Sequence, residues 1–335
     1  MNSVKQGVKL GILRSRVLRT AGSWTSSKVV ILRYHSVQDD PAPFAHTIGW
    51  GIIHATTAFA EQIEMIARHY KPVSMGDVQN FLAGGKNLPD RAVAVTFDDG
   101  YADNYEVAAP ILDRFGVPGA FYATIKNVED ATPPWYCRLR NAFHMSLRND
   151  WPDAREDREW PMATRAERHE SFLVASRRLA KLAGEAQMRS LVQIENELEV
   201  QPLPFAGAPM MSWDQLRGLV KGGHVVGSHT MTHPNLAYVD DAVVRLELKE
   251  SKRAIEEHLG CPGVHFSYPS PILQPHFTEG TIEHARQLGY RTSVTCVPGV
   301  VRRGHEPLAL RRVFAPFQKD DFQWSLEWAF LGRYV

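Results

Sequence analysis

The chain has 335 residues, of which 44% are hydrophobic and 22% are charged, and its formal net charge is +1. These values are typical of a folded globular protein with one large α/β domain or two modest ones. The charge, and the lack of any segment that interleaves basic and aromatic residues, predict no nucleic-acid partner. Three widely spaced cysteines without CxxC spacing predict neither a disulfide framework nor a thiolate zinc site and fit a reducing compartment.

Residues 1–27 form a basic arm. No Asp or Glu precedes Asp39, whereas Lys and Arg recur from Lys5 to Arg33. Basic residues and Gly11 interrupt the apolar positions, so we expect neither a signal peptide nor a membrane-spanning helix, and a cytoplasmic protein. An apolar stripe with basic flanks leaves two alternatives for the arm, a helix packed on the domain or peripheral contact with the inner face of the membrane. Nothing in the sequence sets the oligomeric state.

Apolar patterning predicts alternating strands and helices at the start of the domain. The predicted elements are a strand at Lys28 to His35, a loop at Pro41 to His54, a helix with Phe59, Ile63, Ile66 and Tyr70 on one face, a loop at Gly84-Gly85, a strand at Ala92 to Phe97, a helix at Tyr105 to Phe115 and a strand at Ala120 to Thr124. The continuously apolar strand at Ala92 to Phe97 is typical of a parallel strand covered on both faces.

The alternation stops at about residues 127–211, which we interpret as a helical insertion. A Trp- and Pro-containing loop at Pro133 to Trp135 precedes a charged, Ala- and Leu-rich stretch from about Ala163 to Leu198. The many Arg and Glu residues of this stretch predict a partly exposed helical subdomain beside the core.

The alternation then resumes up to the last predicted strand. The predicted elements are a helix at Trp213 to Lys221, a strand at His224 to Ser228, a helix at Asp240 to Leu259, a strand at Val264 to Tyr268, a helix at Thr278 to Leu288, and strands at Arg291 to Cys296 and Leu310 to Phe314. With about seven strands in repeated βα units, residues 28–335 are predicted to form an α/β fold, a TIM-like (β/α)7 barrel. Its chemistry would lie at the carboxyl ends of the strands.

Two adjacent carboxylates, Asp98 and Asp99, follow the strand that ends at Phe97. Neighbouring side chains of a regular strand point to opposite faces, so both can enter one cavity only if the backbone turns here, and Gly100 permits such a turn. Carboxylates at the carboxyl end of a parallel strand indicate a site. An Asx-type turn, in which both aspartates cap loop amides, is the alternative on this stretch alone.

His229 and His233 lie four residues apart where another predicted strand ends. On one helical turn such a pair shares a face and can bind one metal ion, and Pro234 restricts the backbone after it. An isolated pair of this kind also fits one histidine hydrogen-bonded in the core and one exposed. Joined with Asp98 and Asp99, the pair provides an Asp-His-His ligand set and one spare carboxylate.

These motifs resemble those of the polysaccharide deacetylase family, the NodB-homology domain of carbohydrate esterases. The similar segments, within roughly residues 28–315, are Tyr34-His35-Ser36-Val37, Thr96-Phe97-Asp98-Asp99-Gly100, His229-Thr230-Met231-Thr232-His233-Pro234, Phe266-Ser267-Tyr268-Pro269-Ser270 and Leu310-Arg311-Arg312. The resemblance implies a distorted (β/α) barrel of seven strands. It also implies a hydrolase of linear amide bonds that removes an N-acetyl group from an acetamido sugar in a polysaccharide, an oligosaccharide or a lipid-linked intermediate.

The resemblance further implies roles for single residues. Asp98 is expected to be the general base, and Asp99, His229 and His233 to hold a divalent metal ion, usually zinc, with cobalt, nickel or iron(II) as alternatives. The backbone N–H of Ser270 is expected to contact the oxyanion. Two imidazoles and one carboxylate leave open positions on zinc, which lowers the pKa of bound water so that the base can take its proton. The hydroxide attacks the acetyl carbonyl, and a general acid must protonate the departing amine.

Two positions depart from the family pattern. Ser267 stands where the usual third motif has an arginine that orients the catalytic aspartate, although a subset of the family has a Phe-Ala-Tyr-Pro version. The terminal Leu-x-His motif, which supplies the general acid in many members, does not occur. His305 and His35 are candidates for that role. The alternatives are an exposed loop histidine at 305 and a structural histidine lining the barrel floor at 35.

Other readings of the same residues stay open. Tyr101, Tyr268 and Trp135 are candidates for aromatic walls against a sugar ring, with core packing as the alternative. Two histidines and a carboxylate also form the site of non-haem iron oxygenases, which need no second aspartate. A degenerate deacetylase that binds glycan without turnover is motivated by Ser267 and the missing terminal histidine.

Overall fold

The computed structural model describes residues 28–200 and 209–334. The predicted basic arm, with its membrane contact, lies outside these ranges. The strands are β1 (Lys28–Tyr34), β2 (Ser36–Gln38), β3 (Ile53–Ala55), β4 (Lys71–Pro72), β5 (Ala92–Phe97), β6 (Gly119–Ala123), β7 (Asp150–Asp153), β8 (Arg158–Pro161), β9 (Val225–Ser228), β10 (His265–Ser267), β11 (Thr292–Pro298), β12 (Val301–Arg302) and β13 (Leu310–Phe314).

Helices surround these strands. The α-helices are α1 (Thr56–His69), α2 (Met75–Leu82), α3 (Ala109–Phe115), α4 (Ile125–Asp130), α5 (Trp135–Met145), α6 (Arg165–Leu179), α7 (Gly184–Glu197), α8 (Trp213–Lys221), α9 (Asp241–Leu259), α10 (Glu279–Gln287) and α11 (Lys319–Phe330). Within the described ranges, no helix is both long and apolar enough to cross a membrane.

Seven parallel strands close into a barrel. They follow the order β1, β5, β6, β9, β10, β11 and β13, and β13 pairs back with β1. The longest register joins β1 to β5, from Val29 opposite Ala92 to Tyr34 opposite Phe97. Only one residue pair, Phe266 opposite Ser228, joins β10 to β9, so the barrel is irregular on that side. This architecture confirms the predicted TIM-like (β/α)7 barrel with distorted pairing.

The strand that carries the two aspartates is buried on both faces, as its continuous apolar sequence predicts. All six residues of β5 are buried. Val93 and Val95 belong to one core cluster, whereas Ala92 and Ala94 belong to another, because alternate side chains of a strand point to opposite faces. Phe97 stacks on Phe121 of β6 at a ring-centroid distance of 4.8 Å. This packing fixes where β5 ends.

Several local predictions were wrong or incomplete. The segment predicted as a loop at Pro41 to His54 forms short helical turns over residues 42–52 and the strand β3. Helix α2 was not predicted, although its capping box was present in the sequence: Ser74 and Asp77 bond each other's backbone N–H groups. The helix predicted at Tyr105 to Phe115 begins as a π-helical turn over Asn104–Ala108.

The insertion has an apolar core of its own. Trp135 and Leu139 of α5 pack with Trp151, Leu179 and Leu191. The helical stretch predicted from about Ala163 to Leu198 consists of two helices, α6 and α7, preceded by an antiparallel hairpin of β7 and β8. Gly184, with φ 56°, lies at the break between the two helices, and it was the local signal that could have predicted the break.

A buried histidine in β10 makes the stability of the barrel depend on pH. His265 is 7% exposed and its Nδ1 lies 2.7 Å from Oγ1 of Thr292. Burial lowers the pKa of His265 to about 4. In the range between that value and the usual pKa of about 6.5, the unfolded chain binds a proton that the native chain excludes. The stabilisation is therefore complete above the unfolded pKa and is lost as the pH falls toward 4.

We expect His265→Asn to flatten this dependence. The slope of the unfolding free energy between about pH 6.5 and pH 4 should fall by up to about 1.4 kcal/mol per pH unit relative to the unmodified protein. Urea denaturation of both proteins across this range measures the difference. Burial raises the pKa of Asp103 to about 6, so this carboxyl also titrates in the measured pH range. It does so in both proteins, and the difference between their two slopes therefore reports His265. Equal slopes would contradict the prediction.

Candidate active site

The backbone turns sharply where β5 ends, as the sequence predicts. Asp99 has φ 78° and Gly100 has φ 89°, the left-handed region that glycine adopts at no steric cost. A Cβ at residue 100 would lie 3.0 Å from Cα and Cβ of Ala123. Glycine thus permits both the turn and the close approach of β6, and the turn brings Asp98 and Asp99 together at the carboxyl end of the barrel.

Asp98 is clamped by residues from two other strands. Nη1 and Nη2 of Arg312, in β13, donate to Oδ1 and Oδ2 of Asp98 over 2.8 Å and 2.6 Å. The hydroxyl of Ser267, in β10, donates to Oδ1 over 2.9 Å. Arg312 is itself held by its Nε, which donates to the carbonyl of Thr295, and is 2% exposed. A bidentate arginine is thus present, and it comes from β13 rather than from the third motif.

The clamp keeps Asp98 ionised. Burial by itself would raise the pKa of this carboxyl, but the Arg312 guanidinium outweighs burial and holds the pKa well below its usual range. The charge-assisted bonds also fix the orientation of the carboxylate. Asp98 is therefore an acceptor in a set position at every working pH.

The two histidines lie in a loop after β9, so the prediction of one helical turn was wrong. Left-handed residues shape this loop, with φ 68° at Thr230 and φ 58° at His233. The N–H of His233 donates to Oγ1 of Thr230 over 3.0 Å. The rings of His229 and His233 meet edge to face, with centroids 4.9 Å apart. The pair faces one point because the loop folds back on itself.

The ligand atoms of Asp99, His229 and His233 lie within 4.8 Å of one another. Oδ1 of Asp99 is 3.4 Å from Nε2 of His229 and 3.6 Å from Nε2 of His233. Neighbouring ligand atoms of a tetrahedral zinc site, with bonds of about 2.0–2.1 Å, are separated by roughly 3.3 Å, so this set fits one such ion.

The chemical state of the two imidazoles also suits a metal ion. Nδ1 of His229 lies 2.8 Å from the carbonyl of Ser267, which fixes its tautomer and leaves Nε2 free. Burial lowers the pKa of His233 to about 3, so this imidazole is neutral at pH 7, the form that binds a metal.

A buried glutamate of α9 supports the histidine loop. Glu247 accepts hydrogen bonds from the N–H groups of Met231 and Thr232 over 2.8 Å and 2.9 Å, and from the Thr232 hydroxyl over 2.5 Å. Glu247 is 5% exposed, and burial raises its pKa. Glu247 was not predicted as a site residue, because in the sequence it is one of many charged residues on an amphipathic helix.

A cavity of about 440 Å³ opens above these groups. Asp99 and His233 line its floor, together with His35, which follows β1 at the carboxyl end of the barrel. Ser270 lines its wall, and in the described part of the chain its N–H has no hydrogen-bond partner. Trp135 lines it from the insertion. His35 thus lies at the site rather than on the barrel floor.

The other predicted site residues lie elsewhere. Tyr268 is 1% exposed, packs on Phe266 and donates its hydroxyl to the carbonyl of Leu308. Tyr101 is also buried, beneath Tyr136, with the two hydroxyl oxygens 3.3 Å apart. Among the described residues, Tyr136 lines the cavity and neither of the two predicted tyrosines does.

His305 is separate from the site. It lines a different cavity, which shares no residue with the one around Asp99. The N–H of His305 donates to the carbonyl of Arg302 in β12, and β12 pairs with the amino end of β1. Its position at the opposite end of the barrel leaves it without access to Asp98.

The chain was compared with known protein families and curated proteins. The family model described as polysaccharide deacetylase matches residues 85–293. The poly-beta-1,6-N-acetyl-D-glucosamine N-deacetylase of Escherichia coli (strain K12) is 33% identical over 99 residues, which are 29% of this chain. That matched segment spans 14% of the curated relative's own length.

Solved structures share the fold. The Streptococcus pyogenes deacetylase PplD, solved in complex with acetate, superposes with a TM-score of 0.58 at 19% identity, covering 87% of this chain and 93% of that one. IcaB from Ammonifex degensii gives a TM-score of 0.56 at 21% identity, covering 91% and 98%. At these identities the likeness establishes the barrel with its surrounding helices.

We expect Arg312→Met to lower the free energy of unfolding by about 3–5 kcal/mol at pH 7, because Asp98 is left as an unpaired buried charge. Adding Asp98→Asn to this variant should recover much of the loss, since no charge then lacks a partner. Urea denaturation measures both. Arg311→Met, at the exposed neighbouring position, is the matched control and should change stability little. A double variant no more stable than Arg312→Met would exclude charge pairing as the cause.

Proposed function

The chain belongs to the polysaccharide deacetylase family, and from that premise we propose that it is a metal-dependent hydrolase that removes the N-acetyl group of an acetamido sugar. The observation that carries this proposal is the convergence of two distant segments. The turn after β5 and the loop after β9 bring the ligand atoms of Asp99, His229 and His233 within 4.8 Å of one another, next to the buried Asp98 and at the base of one cavity.

Asp99, His229 and His233 would hold the divalent ion, with zinc as the first choice for this donor set. Such an ion acts as a Lewis acid that polarises a carbonyl and lowers the pKa of bound water. Three protein ligands would leave a coordination position for water or substrate, and two of the three, Asp99 and His233, line the cavity. The buried position excludes bulk water from the charged groups.

Asp98 is proposed as the general base. It takes a proton from the attacking water, and the clamp of Arg312 and Ser267 holds its oxygens in place while it does so. A carboxylate stabilised in this way is a weak base, so this step would depend on a bound metal ion that lowers the pKa of the water molecule. The negative charge that then develops on the carbonyl oxygen is proposed to meet the N–H of Ser270, which is without a hydrogen-bond partner among the described residues.

His35 is proposed to pass a proton to the departing amine. It lines the cavity floor beside Asp99 and His233. Burial lowers its pKa to about 4, while the charges of Asp99 and Asp98 act in the opposite direction. The free enzyme therefore holds this imidazole neutral, and it is proposed to act only after Asp98 has taken a proton from the attacking water and passed it to His35. When the tetrahedral centre collapses, His35 gives this proton to the departing amine, and the acid product ionises to acetate.

The substrate is proposed to be a glycan rather than a free sugar. The cavity combines the aromatic rings of Trp135 and Tyr136 with a few polar groups, the usual makeup of a sugar site. It is bounded by the insertion as well as by the barrel, and it therefore has room for more than the acetamido group. A polysaccharide, an oligosaccharide and a lipid-linked glycan all fit this proposal.

The assay for the proposal is acetate release from N-acetylglucosamine oligomers and from a lipid-linked N-acetyl sugar. We expect release by zinc- or cobalt-loaded protein, none by metal-stripped protein, and a loss of about 10²–10⁴-fold in kcat for Asp98→Asn, the contribution typical of a general base. Sugar binding without acetate release under any condition would instead identify a binding protein, and iron-dependent oxygen uptake an oxygenase.

A second variant tests the route of the proton. His35→Gln should lower kcat by about 10²–10⁴-fold, with smaller changes in KM and in bound metal, because the amine leaves poorly without a proton donor. Metal content is measured beside the kinetics. His305→Gln is the matched control and should keep full activity, since it lies at the other end of the barrel. If His35→Gln retains more than about a tenth of kcat, Asp98 itself returns the proton to the amine.

A further inference from the structure

A second cavity, of about 840 Å³, adjoins the catalytic one. Arg140, His169 and Phe172 line both cavities, so the two share a wall. The second cavity is enclosed by the helical turns over residues 45–51 and by the helices α5 and α6 of the insertion. A chain of sugars bound with one acetamido group over Asp99 therefore has space to continue into it.

The lining of this second cavity is basic. Six of its residues are arginine or histidine, and no aspartate or glutamate lines it: the basic residues are His46, Arg140, His144, Arg165, Arg168 and His169. The whole chain, in contrast, has a net charge of only +1. Positive charge concentrated in a concave surface focuses an attractive potential on anions.

Two of these arginines are held by backbone carbonyls. Nη1 of Arg168 donates to the carbonyls of Phe143 and Ser146, and Nη2 donates to that of Arg148. Nη1 of Arg140 donates to the carbonyl of Ile48. A carbonyl fixes a guanidinium group in position without neutralising it, so both groups keep their full charge.

The side chain of Arg165 has neither a hydrogen bond nor an ion pair to another described residue, and it is exposed. Four other arginines of the insertion are paired with carboxylates: Arg138 with Glu195, Arg148 with Asp150, Arg178 with Asp153 and Arg189 with Glu185. Arg155, Arg158 and Arg177 have no carboxylate partner among the described residues, and they lie outside the cavity. The cavity is therefore distinguished by the meeting of three arginines on one surface that no described acidic residue lines.

The wall opposite α5 is shaped to receive Arg140. Gly49 has φ 107°, and a Cβ there would lie 2.7 Å from Nη1 of Arg140. The glycine lets the guanidinium lie flat against the turn, 5.3 Å from the ring centroid of Phe172. Trp50, beside it, is 58% exposed at the cavity and offers an aromatic face.

Two histidines also line this cavity. The rings of His46 and His144 stack with centroids 3.6 Å apart and an interplanar angle of 5°. The pKa of His144 is lowered by burial and further by the nearby His46 and Arg168. The same neighbours that oppose a proton on His144 favour an anion beside it.

We propose that this basic cavity is a subsite for an anionic group, a phosphate or a carboxylate, carried by the glycan next to the sugar that loses its acetyl group. The proposal rests on the proposed deacetylase function and specifies its substrate class as an anionic glycan. Phosphates and carboxylates match guanidinium geometry, and the exposed aromatic rings suit the apolar face of a sugar. A neutral glycan would leave the arginine charges without partners.

Binding of sugar probes to the metal-stripped full chain tests the proposal separately from catalytic activity. Without a metal ion, a phosphate group on a probe cannot bind at the metal site. The probes for titration calorimetry are N-acetylglucosamine 1-phosphate, a disaccharide of N-acetylglucosamine and glucuronic acid, and neutral N,N′-diacetylchitobiose. We expect at least one charged probe to bind about tenfold more tightly than the neutral one, and this preference to shrink with added salt. The charged probe that is preferred identifies the anion as phosphate or carboxylate.

Charge reversal at Arg165 tests whether the preference for charged probes arises in the basic cavity. Arg165 is exposed and makes no contact that the fold needs, so Arg165→Glu should fold and should abolish the charged-to-neutral affinity ratio. Arg189→Gln, an exposed arginine on α7 that is outside the cavity, is the matched control and should keep the ratio. Equal affinities of all probes for the unmodified protein, or a ratio unchanged in Arg165→Glu, would overturn the proposal.

Kinetics of the zinc-loaded enzyme separate this proposal from the function on which it rests. Acetate release with KM about tenfold lower for a charged glycan than for a neutral one supports both. Acetate release with equal KM values keeps the deacetylase and overturns the anionic subsite. Charged-probe binding without acetate release from any glycan keeps the subsite and overturns the deacetylase.

Discussion

Asp98 is a buried carboxylate whose charge is compensated by an arginine two strands away around the barrel. Its partners come from β10 and β13, whereas it follows β5, and Arg312 reaches it across more than two hundred residues of sequence. A buried charge without such partners costs several kcal/mol, so the aspartate is tolerable only when the barrel is closed. The strand pairing that closes the barrel therefore also orients the carboxylate of Asp98, the proposed base.

The proposed metal ligands depend on backbone conformations that ordinary residues adopt rarely. Asp99 and His233 both have left-handed φ values, which cost energy unless the surroundings fix them. Close packing of Gly100 on β6 fixes the first, and the hydrogen bonds of Glu247 to the loop fix the second. The ligand set is thus already in place in the folded chain.

The insertion provides surfaces that are proposed to bind the substrate beside the reacting groups of the barrel. Its helices α5 and α6 enclose one side of the catalytic cavity and most of the basic cavity beside it. Arginines fixed by carbonyls, instead of by carboxylates, give this wall a positive potential that is independent of any loop movement. In the proposed function the barrel holds the reacting groups, and in the proposed subsite the insertion contacts the rest of the substrate.

Local sequence signals were enough to predict several parts of this protein. A continuous apolar run predicted β5, two motifs indicated Asp98, Asp99, His229 and His233 as site residues, and the count of βα units predicted the barrel. Which distant residues meet these groups depends on the packing of the whole barrel. Arg312 and His35 lie in segments that resemble the family, but the sequence does not show that Arg312 pairs with Asp98 or that His35 lines the cavity. Glu247 carries no local signal that separates it from a surface charge. The roles of these three residues follow from strand order and from packing between segments far apart in the chain.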